Sequence, residues 1–141
     1  MVTDEEGFVN TMGDMLAIWH LPRTTGRVYG YLLLRGEPCT SDRLRAELRM
    51  SAGAVSTAVR DLVSWGLART IPQPGSRRLL IEAAGGFDQL LAAGHERTRA
   101  FVRVLESARP LADDDRAARR LADVTALFTA YLEAVAGFRR P

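Results

Sequence analysis

Between Ser51 and Gly66 the chain reads SAGAVSTAVRDLVSWG. Val55, Val59, Leu62 and Val63 fall at the spacing of one apolar stripe of a helix. The opposite face collects Gly53, Ser56, Thr57 and Arg60, with the Ser51 hydroxyl at the helix start. Small residues let a helix backbone approach a large ligand closely. Hydroxyls bond phosphate oxygens or base edges, and a guanidinium forks onto phosphate or guanine. The positive end of the helix adds its own attraction for phosphate. A second basic group follows at Arg77 and Arg78, in the run PGSRR. Together these residues offer recognition of a polyanion, and double-stranded DNA is the partner they suit.

Charge along the chain points the same way. The net charge is +2, but residues 41–81 hold seven Arg against three acids, while the flanks together are acidic. A local basic region is the electrostatic footprint of a polyanion partner. Every cation is arginine and none is lysine, so each is a planar fork.

These residues need elements to hold them. Residues 4–20 read as a helix, with Thr3 or Asp4 as cap and Phe8, Met12, Met15, Leu16 and Trp19 on one face. Pro22 opens a second helix, from about Arg23 to Arg35, which Gly36 and Pro38 end. Thr40 or Ser41 caps a third that turns Leu44 and Leu48 inward. Ser51 caps the fourth, which runs to Trp65 with Gly66 beyond it. Two helices on so short a turn form a helix-turn-helix. LARTI and LLIEAA, separated by a turn at Pro74-Gly75, predict a two-stranded hairpin with Arg77 and Arg78 just past its tip. The fold class is therefore mainly α with a small β-hairpin (α+β), a winged helix-turn-helix.

After Gly85-Gly86 the periodicity stays helical. Phe87, Leu90, Leu91, Gly94, Thr98, Phe101, Val102 and Leu105 line one face. Asp113, Asp114 and Asp115 open a last helix, where acids suit the positive end of the dipole. Leu121, Val124, Phe128, Tyr131, Val135 and Phe138 then form a heptad seam of nearly three repeats, suited to packing on partner helices.

Other chemistries find little support. A P-loop, a G-x-G-x-x-G run and a G-x-S-x-G elbow are all missing, so no enzyme is expected. His20 and His95 lack metal-ligand spacing, and no metal or other cofactor is expected. Cys39, the one cysteine, reads as a bystander near a turn. Trp19, Tyr29, Tyr31 and Trp65 could line a ligand pocket, but such residues more often form core. The longest apolar run, Val28 to Leu34, is too short to span a membrane, and the acidic start MVTDEEGF is not a signal peptide. A soluble, cytoplasmic protein is expected.

LPRTTGRVYGYLLL (Leu21 to Leu34), GAVSTAVRDLVSWGL (Gly53 to Leu67) and PGSRR together resemble the MarR superfamily of bacterial transcription regulators, nearest its GbsR-like branch. The resemblance covers about residues 8–84, and the terminal helices match by arrangement. Ala52 stands where the branch carries a basic or larger polar residue. Ser76 stands where the wing carries an acid.

The resemblance implies a homodimer acting on a pseudo-palindromic operator, as repressor or activator, often tuned by a small ligand. One MarR-like domain would span 1–141. Its DNA-binding head would be 21–84, and its dimerisation helices 1–20 and 85–139. The DNA-contacting residues would be Ser51, Gly53, Ser56, Thr57, Arg60, Arg77 and Arg78, with Arg23 matching the branch's Pro-Arg pair. Dimerisation would use Phe8, Met12, Leu121, Val124, Phe128, Tyr131 and Val135. Arg27, on the same face as Arg23, reads as an internal brace. Two other readings compete: a winged-helix module that docks proteins, and a metal- or redox-responsive sensor of the same fold.

Overall fold

The computed structural model describes residues 4–138, apart from the side chain of Phe138. The order is α1 (Glu5–Met15), α2 (Arg23–Leu33), β1 (Cys39–Thr40), α3 (Ser41–Leu48), α4 (Ala52–Ser64), β2 (Ala68–Pro72), β3 (Leu79–Ala83), α5 (Phe87–Ser107) and α6 (Asp115–Phe138). Side chains close the helix starts. Asp4 accepts from the Gly7 N–H at 2.7 Å, Thr40 from Arg43 at 3.1 Å, Ser51 from Ala54 at 3.1 Å and Asp114 from Ala117 at 2.8 Å. Thr3, the other cap candidate for α1, lies outside the described residues.

The helix expected over 4–20 ends earlier. It stops at Met15, a 3-10 turn covers Leu16–Trp19, and His20 sits in the left-handed region at φ 64°. The cause lies two residues on: Pro22 disfavours helical backbone at Leu21, so the chain reverses before α2 begins.

Two compact units divide the chain, Met1–Leu90 and Leu91–Pro141. The first includes α1, expected among the dimerisation helices. Within the chain α1 crosses α2 at very short range. A Cβ on Gly26 would stand 2.8 Å from the Met12 carbonyl oxygen, and one on Gly13 would stand 2.9 Å from that of Arg23. Met12 lies against Gly30, so its side chain is engaged within the chain, while Phe8 is half-buried. Val9 and Leu16 enter a core with Val28, Leu32, Leu44, Val55, Leu62, Leu67 and Ile81.

The expected two-stranded hairpin is a three-stranded antiparallel sheet of order β1-β3-β2. Cys39 pairs with Ile81 and Thr40 with Leu80, beside the β2–β3 pairs Arg69–Glu82 and Thr70–Ile81. The added strand buries Cys39. Loss of water pushes its thiol pKa up, and Arg43 and Arg35 pull it only partly back. A buried thiol with less thiolate is a poor redox sensor. Trp19, Tyr29 and Trp65 pack in this core, with Trp19 edge-on to Phe87 at 5.3 Å.

In the second unit Phe101 meets Phe128 edge-on at 5.1 Å, and the His95 and Tyr131 rings lie 6.1 Å apart. Leu121, Phe128 and Val135 are half-buried, whereas Val124 and Tyr131 face outward with Val104 and Leu127. No helix among the described residues is long and apolar enough to cross a membrane.

The α1–α2 crossing yields a direct check. Gly26→Ala would push a methyl against backbone, which no side-chain rotation relieves. We expect a loss of about 1–3 kcal/mol in urea unfolding, even though alanine is the better helix former. Unchanged or increased stability would refute the close crossing.

Candidate nucleic-acid interface

The local sequence sets α3 and α4 at a fixed angle. Arg49 ends α3 in the left-handed conformation, φ 54°, and the Met50 N–H returns to the Arg45 carbonyl at 3.1 Å. Ser51 then caps α4 without delay. At the far end Gly66, φ 75°, makes the left-handed turn. The Leu67 N–H bonds the Leu62 carbonyl at 2.8 Å and the Gly66 N–H bonds that of Val63 at 3.0 Å. This Schellman pair satisfies the last carbonyls and drops Leu67 into the core beside Leu62.

The buried stripe of α4 is rotated from the expected one. Val55, Ala58 and Leu62 are buried, Val59 flanks them, and Val63 is 42% exposed. Ala58 presents so little side chain that the helix can lie close on that side. Thr25, itself buried on α2, donates to the Asp61 carboxylate at 3.2 Å and fixes the rotation of α4. Arg27 acts as the brace the sequence suggested. Its Nε donates to Asn10 at 3.1 Å and its Nη1 to the Leu48 carbonyl at 3.3 Å, tying α1 and α2 to the end of α3.

With that face buried, Ser51, Ala52, Gly53, Ser56, Thr57 and Arg60 stand on the exposed side of α4. The Ser51 oxygen is engaged in its cap but keeps a proton to donate. Among the described residues, no hydrogen bond or ion pair engages the side chain of Ser56, Thr57 or Arg60. Space above Gly53 is open: an added Cβ would meet nothing within 4 Å. The fold does not need glycine there.

The wing is the β2–β3 hairpin with its tip at residues 73–78. Gln73 to Ser76 close a turn, the Ser76 N–H on the Gln73 carbonyl at 3.2 Å, with Pro74 second and Gly75, φ 73°, third. That is the geometry of a type II turn. Ser76, where an acid was expected, still holds the loop, since its Oγ accepts from the Arg78 N–H at 3.0 Å. Arg77 is exposed and carries no ion pair among the described residues. Arg78 is paired with Asp42 of α3 at 3.2 Å. Arg23 bonds Asp14 of α1 at 3.0 Å, the internal ion pair that competes with a phosphate role.

Residues 21–79 match the model of the MarR family. Over 135 residues the chain is 33% identical to the HTH-type transcriptional regulator MmpR5 of Mycobacterium tuberculosis (strain ATCC 25618 / H37Rv). That alignment spans 91% of this chain and 79% of the relative. The chain belongs to the MarR family. The crystal structure of a transcriptional regulator, 25% identical, matches with a TM-score of 0.65 over 96% of this chain and 95% of the other. This MarR-family regulator thus brings α4 and the wing arginines to one head, the compact unit Met1–Leu90.

Sequence reasoning missed Thr25, Asp61 and Asp42. Thr25 lies within the quoted Leu21–Leu34 run, but nothing in its neighbours marks it as buried. No group of three or more His, Cys, Asp or Glu among the described residues is placed to hold a metal ion.

Gly53 separates stability from binding. Gly53→Ala should raise stability by up to about 1 kcal/mol, because a first-turn glycine is replaced without a clash. The same methyl should weaken duplex binding several-fold by holding a phosphate off the backbone. Urea unfolding and fluorescence anisotropy on one preparation test both; tighter binding alongside higher stability would contradict close approach at this turn.

Proposed function

We propose that this protein is a homodimeric regulator that binds double-stranded DNA at a pseudo-palindromic site. α4 enters the major groove, where Ser56, Thr57 and Arg60 read base edges, while Ser51 and Gly53 receive a phosphate at the helix start. The wing lies on the flanking backbone through Arg77 and Arg78. The observation that carries this reading is the unoccupied polar face of α4: three side chains able to bond bases, exposed on a helix whose other face is locked into the core. The Leu21–Leu34 run supports the GbsR-like branch as its place in the family.

Phosphate-binding and base-reading residues respond differently to substitution. Against a duplex selected by the wild-type protein from a random pool, Arg77→Ala should weaken all sequences alike. It should also flatten the log–log salt slope by about 0.9 for each phosphate no longer neutralised. Ser56→Ala or Thr57→Ala should instead change which sequences are preferred. Equal, sequence-independent effects from all three would remove α4 from the groove. Absence of salt-dependent duplex binding would favour a protein-docking module.

Dimerisation is assigned to the second unit. Phe101, Val104, Val124, Leu127 and Tyr131 leave apolar surface exposed along α5 and α6, and a second copy is the occupant the family suggests. Phe8 is a further candidate for this interface. Leu127, 67% exposed, is the place to test it, because a charge there spares the packing within the chain. Leu127→Asp should keep its helix content yet raise the dimer dissociation constant roughly ten- to a hundredfold in light scattering. A dimer as tight as wild type would place the interface elsewhere.

A further inference from the structure

At the base of the wing, Thr40, Ser41, Asp42, Arg77, Arg78 and Leu79 line a cleft of about 360 Å³. Three features make it attractive to an anion. The N-terminus of α3 opens into it, Arg77 is unpaired among the described residues, and Arg78 reaches across it. Asp42 is the sole acid in this lining. One carboxylate oxygen lies 3.2 Å from Arg78 Nη1, and the other lies 3.9 Å from Arg45 Nη1. Asp42 thus sets an anionic oxygen against Arg78, the charge that a phosphate would bring.

We propose that Asp42 is a positioning residue that stands in for a DNA phosphate. It holds Arg78 while the protein is free and lowers the sequence-independent part of DNA affinity. The inference rests on the duplex-binding reading above. The Arg78–Asp42 side chains are 70% and 61% exposed, so the pair is weak and open to exchange. Only the side chain has to move, because Ser76 anchors the Arg78 backbone N–H. An incoming phosphate must take Arg78 from Asp42 and must also approach the carboxylate. Both costs fall equally on every sequence, so the pair restrains loose binding along DNA without touching base readout.

The test compares wild type, Asp42→Asn, Arg78→Ala and the double variant, on the selected duplex, on a scrambled duplex and on a heparin column. Asp42→Asn should tighten both duplexes to a similar extent, about fivefold at moderate salt, with a salt slope steeper by up to about 0.9 per head. It should also elute later from heparin. In the Arg78→Ala background these gains should vanish. Gains that persist without Arg78 would mean a general charge effect, and weaker binding by Asp42→Asn would mean that the pair builds the wing; either overturns the proposal. Heparin keeps the two readings apart: a wild type that ignores duplex DNA sinks the functional reading, while the Arg78-dependent heparin shift still decides the role of Asp42.

Discussion

Everything in the head hangs on α2. It meets α1 where Gly13 and Gly26 leave no room for a Cβ, so the two backbones touch. Through Thr25 it grips Asp61 of α4, and through Arg27 it holds the end of α3. Interiors packed at this density transmit displacement rather than absorb it. A shift of α2 would therefore move both helices of the helix-turn-helix together. The run between Leu21 and Leu34 thus sets where α3 and α4 stand.

α4 shows the complementary arrangement. Its buried side uses Val55, Ala58 and Leu62, and its caps satisfy both ends, so its stability does not depend on the exposed side. That freedom leaves the side chains of Ser56, Thr57 and Arg60 without a hydrogen bond or ion pair among the described residues. Arg23 and Arg78 differ, because each already has a carboxylate partner at the surface. Such exposed pairs are worth at most about 1 kcal/mol, so they add little to the fold.

Much of this was legible in the sequence because local rules govern it. The Ser51 cap, the Gly66 terminator and the Pro74-Gly75 turn each act within a few residues, and each stands where the chain places it. What escaped depends on distant partners. β1 is two residues long and has no periodicity of its own; it exists only because β3 offers an edge. Gly13, Gly26 and Gly30 read as weak helix formers until the second helix is laid against them. Arg49 adopts positive φ with no glycine to signal it. Ala58 outranks Val63 for burial because closeness of packing, not hydrophobicity, chose the stripe. The Asp42–Arg78 pair joins residues far apart in sequence, which no spacing rule could anticipate.

We propose that one face of α4 and the wing tip form the DNA-binding surface. Backbone amide chemical shifts recorded by NMR, with and without a selected operator duplex, are the decisive measurement. The largest changes are expected at residues 51–60 and 73–78, with the buried positions of α2 nearly still. Changes concentrated in α5 and α6, with α4 and the wing unmoved, would contradict it.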